Sequence, residues 1–447
     1  MNFQLTKDFI TLIEWLIDQK KNSELLQKID NLLAPDIAEI LELLDFEKSK
    51  YLFSLLGEEM RADILLDVEE DLREMLLEDL SLQEIVKEVI ENLDSDDAAD
   101  VIQELPEKKQ QEVLSNIADP QQAINIADLL SYQHNSAGAL MAKELIKVQE
   151  NWSVLRCVSE MRKQAQNINK VYTIYVINKK NKLTGTASLK KLLLTPEKTF
   201  ISDIYNKQII SVQTSTSAEE VARIMNKYDL IVLPVVNEKN ELVGRITIDD
   251  VVDLIKEEAG KDYQMASGIS DHIEPLDNVL TLTRARIPWL IIGMIGGLLG
   301  AQIIGLFEIE KNPFLAFFIP LITAMGGNVG VQSSAIIVQG LAANNLGIDS
   351  WYKRFIKEFS VALLNGLICC ILLFIFSIIL YLQPNISLML SVSLLTVMVF
   401  AALFGTFVPL ILNRMKVDPA LATGPFITTM SDVIGLFIYF SIAKYLL

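Results

Sequence analysis

Cysteine and histidine are scarce in this sequence. It contains three cysteines and two histidines among 447 residues. The cysteines, Cys157, Cys369 and Cys370, show no C-x-x-C spacing, which excludes a disulfide framework and a thiolate zinc site. Two histidines are too few for histidine catalysis or for a typical transition-metal site. Since the sequence also lacks a P-loop and a nucleophile motif, we do not expect an enzyme.

Positive charge is scarce in the first third of the chain. Residues 1–130 hold 32 acidic and 11 basic side chains, a net charge of −21, which excludes a nucleic-acid-binding surface there. The N-terminus lacks the basic and apolar segments of a signal peptide, so we expect this acidic part to be cytosolic. Residues 131–277 hold 19 side chains of each sign, and residues 278–447 hold six acids and nine bases. The charge distribution therefore predicts three different kinds of domain.

Long uncharged runs fill the last block. Residues 287–307 suffice for one membrane span, since a bilayer core needs roughly 20 helical residues. Residues 312–348 and 359–413 are also uncharged, and a turn at Pro384 divides the second run into two spans. Residues 419–447 complete a prediction of five membrane spans.

The charges that flank the spans predict their orientation. Basic side chains precede span one and lie between spans two and three and between spans four and five, which places these loops in the cytoplasm. The protein is then a multi-pass protein of the cytoplasmic membrane with a cytoplasmic N-terminus and an external C-terminus. The basic residues are Arg284, Arg286, Lys353, Arg354, Lys357, Arg414 and Lys416, and Glu308, Glu310 and Lys311 lie on the other side.

Two features of the membrane block would be costly in helices that face only lipid. The glycine-rich stretch around Asn328 is polar, which is tolerated where the backbone is buried in protein or lines a wet cavity. Asp432 lies about 13 residues into the last span, or roughly 20 Å deep at 1.5 Å per residue. Its carboxylate either hydrogen-bonds a neighbouring helix or faces a mobile cation, since the spans contain no basic partner. The polar face of this span comprises Gly424, Thr428, Asp432 and Gly435.

Apolar positions at three- and four-residue spacing predict helices throughout residues 1–130. Acid-rich caps that lead into amphipathic helices recur, which is typical of a short helical-repeat array. Most of the acids fit a solvated helix face. Asp96, Asp97 and Asp100 are different, because positions 96 and 100 share one face and repel each other unless a cation intervenes.

An internal repeat of strands and helices follows. Buried β-rich segments begin near Val171 and Leu230, and each leads through a polar turn to a second strand and a helix. This pattern resembles a tandem pair of CBS domains. In that family a Gly-x-x-Thr/Ser-x-x-Asp motif can bind an adenine nucleotide, and Gly244, Thr247 and Asp250 match it. The first copy has Lys191 at the acidic position, so the resemblance implies at most one nucleotide site, with ATP as a regulator.

An unusually acidic helix connects the repeat to the membrane block. Asp250 pairs with Asp253, and Glu258 with Asp262, at three- and four-residue spacing. This helix fits either a switch that responds to divalent ions or a solvated acidic linker.

Motifs along essentially the whole chain resemble the MgtE family of magnesium channels. Each motif is weak alone, but their joint order is specific. The cytosolic motifs are Asp96-Asp97-Ala-Ala-Asp100, Ser136-Ala-Gly-Ala-Leu-Met141, Leu233-Pro-Val-Val and Asp249-Asp250-Val-Val-Asp253. The membrane motifs are Pro288-Trp289, Gly326-Gly327-Asn328, Asp418-Pro-Ala420, Gly424-Pro425 and Thr429-x-x-Asp432.

The resemblance implies a multidomain membrane protein with α-helical and α/β parts. An all-α superhelical cytosolic domain spans 1–130, and the two α/β CBS domains span 131–201 and 202–252. A connecting (plug) helix and linker span 253–278, and a five-helix transmembrane domain spans 279–447.

The family also implies a function, namely Mg²⁺ uptake through a channel that cytosolic Mg²⁺ closes. The channel is a homodimer whose ion pathway lies near the dimer axis, between the second and fifth spans. Asp432 holds a largely hydrated Mg²⁺, with Asn328 nearby. Mg²⁺ bound between the cytosolic parts cancels carboxylate repulsion and closes the pore. The residues assigned to this sensing are Asp96, Asp97, Asp100, Glu219, Asp229, Asp250, Asp253, Glu258 and Asp262.

Several positions depart from the family pattern. Asn178, Asn237 and Lys261 stand where acids are common, and Val331 replaces a residue that is often polar. Ala139 stands where a second glycine is frequent.

Two other functions remain possible from sequence alone. One is a secondary transporter that exchanges Mg²⁺ against H⁺ or Na⁺, although no inverted repeat is visible. The other is a nucleotide sensor whose spans serve only as an anchor.

Overall fold

The structure is a computed structural model. It describes residues 5–168, 170–270, 273, 278–307, 313–342, 351–380, 382–422 and 424–446. The described chain forms two compact units, Met1–Ile255 and Lys256–Leu447. Glu308, Glu310, Lys311 and part of the predicted linker at 253–278 lie outside the described residues.

The first part of unit one is helical, as predicted. Polar caps begin several of its helices: the Asp45 carboxylate accepts the backbone N–H of Lys48, and Ser81 and Glu84 form a capping box. A π-helical turn and a 3₁₀ turn follow Glu84. The helices are α1 (Lys7–Asp18), α2 (Asn22–Ile29), α3 (Ala34–Leu43), α4 (Phe46–Ser54), α5 (Glu58–Asp67), α6 (Glu70–Asp79), α7 (Leu82–Glu84), α8 (Ser95–Glu104), α9 (Glu107–Asn116) and α10 (Pro120–Leu129).

The apolar faces of these helices form one continuous core. Ile13, Ile40 and Leu52 are completely buried in it, while most charged side chains stay outside. The core continues into the second strand-and-helix copy through Val221 and Leu233. Because burial of apolar area is the main stabilising term, the helical part and this copy are held together in one unit.

Two three-stranded sheets confirm the internal repeat. In each sheet the first strand pairs parallel with the second, and the second pairs antiparallel with the third. The elements are β1 (Ile146–Gln149), α11 (Val154–Gln164), β2 (Ile174–Ile177), β3 (Leu183–Ala187), α12 (Leu189–Leu194), β4 (Val212–Gln213), α13 (Ala218–Lys227), β5 (Val232–Val236), β6 (Leu242–Thr247) and α14 (Ile248–Ala266).

Asparagines shape the two hairpin turns. The Asn178 Oδ1 atom accepts the backbone N–H groups of Lys180 and Lys182, and Asn237 makes the equivalent bonds to Lys239 and Glu241. These are Asx turns, which an aspartate could also form. Asn178 and Asn237 therefore keep the turn, but they carry no charge at positions where the family commonly has an acid.

The second unit confirms the prediction of five spans. Pro384 begins a helix rather than interrupting one, and a 3₁₀ turn at Pro419–Ala422 precedes the last helix. The spanning helices are α15 (Val279–Leu306), α16 (Ile319–Ala342), α17 (Trp351–Ile379), α18 (Pro384–Arg414) and α19 (Pro425–Leu446).

Glycines allow the spanning helices to approach closely. A Cβ atom placed on Gly405 of α18 would overlap the carbonyl oxygen of Gly330 on α16. One placed on Gly296 of α15 would overlap the methyl group of Thr429 on α19. Small residues at such crossings are typical of helix packing in membranes, where van der Waals contact replaces the hydrophobic effect.

Candidate ion pathway and cytosolic carboxylate cluster

The glycine-rich part of α16 lies against the polar face of α19. A Cβ atom placed on Gly327 would lie 3.1 Å from the Thr428 Cγ2 atom and 3.7 Å from the Asp432 Oδ1 atom. Asp432 is half-buried, and Asn328, the next residue along α16, is exposed in the single chain. The structure thus places the predicted stretch and the predicted carboxylate side by side.

The expected depth of Asp432 is wrong. The helix begins at Pro425, so Asp432 lies seven residues from its start, or about 10 Å along the helix axis at 1.5 Å per residue. The estimate of 20 Å counted from Pro419, but residues there form a 3₁₀ turn, and Gly424 with a φ of +53° separates that turn from α19. Left-handed backbone at a glycine costs little, which explains the break.

Sequence analysis missed a second membrane carboxylate. Glu358 lies in the first third of α17 and accepts a 2.5 Å hydrogen bond from the hydroxyl of Ser333 on α16. Within the described parts of the spanning helices, Glu358 and Asp432 are the only acidic residues. Ser333 belongs to the polar stretch around Asn328, for which the sequence predicted burial in protein or a wet cavity but no particular partner.

The end of α14 contacts the start of α19. A Cβ atom placed on Gly268 would lie 2.5 Å from the Pro425 Cγ atom, and one on Gly424 would overlap the carbonyl oxygen of Ala266. The backbone N–H of Ser270 also donates to the carbonyl oxygen of Ala285 on α15, at 3.0 Å. A shift of the connecting helix would therefore act directly on the helix that carries Asp432.

In unit one, Asp96, Asp97 and Asp100 of α8 face Asp250 of α14. Burial, followed by the charges of Asp97 and Asp250, raises the pKa of Asp96 well above its usual range. Burial and the charge of Asp250 raise the pKa of Asp97 to about 7, and desolvation with Asp250 raises that of Asp100 to about 6. The structure therefore brings four of the predicted sensing residues together.

The nucleotide motif has a structural explanation of its own. The Thr247 hydroxyl donates to the Asp250 Oδ2 atom at 2.6 Å, and the Thr247 backbone N–H donates to it at 3.2 Å. Gly244 allows Met141 to approach, since a Cβ atom there would lie 2.5 Å from the Met141 Sδ atom. The three residues are thus adjacent but partly committed to internal contacts.

The other predicted sensing residues lie outside this cluster. Glu219 and Asp229 are exposed, and Asp229 follows the end of α13 with a φ of +51°. Asp253 lies near Asp67 of α5, because its charge contributes to the raised pKa of Asp67. Glu258 and Asp262 belong to the second unit.

Lys261 changes the charge around Glu258. Its amino group lies 2.9 Å from a Glu257 carboxylate oxygen and 3.5 Å from one of Glu258. This departure from the family pattern therefore places a positive charge beside Glu258.

Sequence analysis also missed Asp94, Glu144 and Arg245. Asp94 and Glu144 each present a carboxylate oxygen close to that of Asp96. Arg245, which is buried, lies 3.3 Å from the Asp94 carboxylate. Asp94 and Asp96 are far apart in sequence from Glu144 and Arg245, so no local pattern indicated this grouping.

Known protein families match all three blocks. The MgtE family model, described as a divalent cation transporter, matches residues 319–442. The MgtE intracellular N domain matches residues 32–135, and CBS domains match residues 137–196 and 201–257. The predicted tandem CBS pair is thereby confirmed.

Individual relatives agree with these matches. The magnesium transporter MgtE of Thermus thermophilus is 36% identical over 358 residues, which are 79% of each chain. That of Bacillus subtilis is 30% identical over 419 residues, which are 93% of this chain and 92% of the relative. The crystal structure of the cytosolic domain of the Mg²⁺ channel MgtE in complex with ATP is 29% identical, with a TM-score of 0.51, and the match covers 55% of this chain and 99% of that one. By identity and coverage, this chain belongs to the MgtE family, a family of transport proteins rather than enzymes.

Proposed function

We propose that this protein is an Mg²⁺ channel for magnesium uptake across the cytoplasmic membrane, closed by cytosolic Mg²⁺. The observation that carries the proposal is the position of Asp432 against the glycine-rich segment of α16. A carboxylate there attracts a cation, and the absence of a side chain on Gly327 lets α16 approach this carboxylate closely. The relatives' name, magnesium transporter, supports the choice of ion.

The pathway needs a second copy of the chain. Asn328 is exposed and Asp432 only half-buried in the single chain, so both can face a partner across a shared axis. We assign the pathway to α16 and α19 of a homodimer. The N-terminus is cytoplasmic and the C-terminus external, because the basic loops then lie in the cytoplasm.

Closure follows when Mg²⁺ neutralises the electrostatic repulsion in unit one. Without Mg²⁺, the ionised carboxylates of α8 repel Asp250 at the start of α14. Bound Mg²⁺ cancels this repulsion and holds α14, whose far end contacts Pro425 of α19. Asp253, Glu258, Asp262, Glu219 and Asp229 contribute to Mg²⁺ sensing outside the central cluster.

ATP is proposed as a regulator that binds at Gly244, Thr247 and Asp250. The solved cytosolic domain in complex with ATP supports this assignment. Because Asp250 also belongs to the carboxylate cluster, nucleotide binding would change the affinity for Mg²⁺.

The transport proposal is tested by Mg²⁺ influx into liposomes that contain the purified chain. We expect influx with the wild type and its loss in Asp432→Asn, which keeps the size and removes the charge. Lys444→Gln, in the last turn of the same helix, is the control that should keep influx. Equal influx in wild type and Asp432→Asn would reject the assignment of this carboxylate to the pathway.

A further inference from the structure

A single side chain near the end of α14 pairs the backbone of Ile273. The Gln264 Nε2 atom donates to the carbonyl oxygen of Ile273 at 2.6 Å, and the backbone N–H of Ile273 donates to the Gln264 Oε1 atom at 3.0 Å. Ile273 is buried, so its backbone groups would be costly if they were left without partners. One primary amide satisfies both groups, because it offers a donor and an acceptor side by side. We call these two hydrogen bonds the Gln264 clamp.

The helix end that carries this amide has a defined geometry. The backbone N–H of Gly268 donates to the carbonyl oxygen of Met265 at 3.0 Å. The backbone N–H of Ile269 donates to the carbonyl oxygen of Gln264, also at 3.0 Å. With a φ of +82° at Gly268, these bonds form a Schellman motif that ends α14. Gln264 therefore holds the chain twice, at Ile269 through its carbonyl oxygen and at Ile273 through its side chain.

The segment between the two ends of the clamp contacts two membrane helices. A Cβ atom placed on Gly268 would lie 2.5 Å from the Pro425 Cγ atom of α19 and 3.6 Å from the Trp289 Cβ atom of α15. The backbone N–H of Ser270 donates to the carbonyl oxygen of Ala285 on α15 at 3.0 Å. Because the clamp closes the loop that contains Gly268 and Ser270, it limits the conformations of the contacting segment.

We propose that Gln264 is the positioning residue that couples α14 to α15 and α19. The inference rests on the proposed function, since it supplies the route by which Mg²⁺ bound at the start of α14 acts on the helix that carries Asp432. With the clamp formed, a displacement of α14 moves the contacting segment as one piece and acts on Pro425. Without the clamp, the segment changes its own conformation and absorbs the displacement before it reaches α19.

The coupling is tested on the full chain in detergent by hydrogen–deuterium exchange, measured with and without Mg²⁺. Gln264→Met keeps the length of the side chain and removes both hydrogen bonds of the clamp. We expect the amides of Ser270 and Ile273 to exchange faster in this variant. We also expect Mg²⁺ to protect the first turn of α19 in the wild type but not in the variant. Tyr263→Met, at the adjacent exposed position of α14, is the control that should behave as the wild type does.

Equal Mg²⁺-dependent protection of α19 in Gln264→Met and Tyr263→Met would overturn the proposal and leave the clamp with a role in stability alone. A wild type in which Mg²⁺ does not protect α19 would overturn it too. If Gln264→Met does not fold, Gln264→Glu takes its place. Its carboxylate still accepts the N–H of Ile273 but cannot donate to the carbonyl oxygen, so the same loss of protection is expected.

Current recordings separate this proposal from the proposed channel function. In Gln264→Met we expect the cytosolic Mg²⁺ concentration for half-maximal closure to rise at least about fivefold, the lower end of typical coupling between sites, while the current near zero Mg²⁺ stays unchanged. A closing curve identical to that of Tyr263→Met would overturn the coupling. A wild type without current would instead reject the channel, and the exchange comparison would still decide the role of Gln264.

Discussion

Gly327 and Asp432 lie opposite each other across the contact between α16 and α19: a Cβ atom placed on Gly327 would lie 3.7 Å from the Asp432 Oδ1 atom and 3.1 Å from the Thr428 Cγ2 atom. The glycine sets the space beside the carboxylate, and the carboxylate sets the charge in that space. In the proposed channel, selection of a largely hydrated Mg²⁺ depends on both the space and the charge, because the ion keeps its water and is attracted by the carboxylate.

A larger side chain at position 327 should reduce Mg²⁺ influx. Gly327→Val would place methyl groups beside Thr428 Cγ2 and Asp432, and we expect Mg²⁺ influx to fall by about tenfold, equivalent to roughly 1.4 kcal/mol in the barrier. Gly297→Val is the matched control, because a Cβ atom at Gly297 of α15 meets nothing within 4 Å. Equal influx in the two variants would show that Gly327 does not limit the pathway.

Folding stability of unit one should depend on pH and on Mg²⁺ together. The pKa of Asp97 is raised to about 7 in the folded chain, so the folded state holds more protons than the unfolded state. Without Mg²⁺, the contribution of Asp97 to stability is therefore fully present below its unfolded pKa near 3.8 and is lost as pH rises through about 7. We expect Mg²⁺ to raise the melting temperature more at pH 8 than at pH 5.5. The same increase at both pH values would contradict this coupling.

Removal of one repelling charge should weaken the response to Mg²⁺. Asp97→Asn should raise the melting temperature without Mg²⁺, because repulsion from Asp250 is lost. It should also raise the Mg²⁺ concentration for half-maximal closure roughly fivefold, which corresponds to about 1 kcal/mol of binding energy. Asp71→Asn, on the exposed first turn of α6, is the control. Identical Mg²⁺ titrations of the two variants would remove Asp97 from the sensing residues.

The bond between Ser333 and Glu358 should stabilise the membrane unit. Ser333→Ala leaves the carboxylate without its donor, and we expect a loss of about 1–3 kcal/mol in the free energy of unfolding. Ser360→Ala is the comparison, since Ser360 is exposed and its hydroxyl bonds only to the preceding turn of its own helix. Thermal melting of the purified variants measures both. A melting temperature as high for Ser333→Ala as for Ser360→Ala would show that the bond adds no stability.

Much of the architecture could be predicted because its signals are local. Uncharged runs gave the five spans, and β-branched segments located the paired strands. The order of motifs identified the family. The polar stretch and Asp432 also came from sequence, because each breaks the apolar pattern of its own helix.

The residues that sequence analysis did not identify come together through contacts between segments that are distant in sequence. Glu144 and Arg245 approach Asp94 only after the helical part packs on the CBS pair. Glu358 adjoins the basic residues before the third span, so nothing local indicated its bond to Ser333. Asp432 was placed too deep because an apolar 3₁₀ turn and an apolar helix have the same composition.

The central proposal is tested most directly by patch-clamp recording from reconstituted protein while cytosolic Mg²⁺ is stepped from near zero to about ten millimolar. Asp432→Ala is recorded beside the wild type. We predict a wild-type current that falls as cytosolic Mg²⁺ rises and that is absent from the variant. A lack of current at every Mg²⁺ concentration, together with tracer uptake that requires an H⁺ or Na⁺ gradient, would contradict the channel and indicate an exchanger.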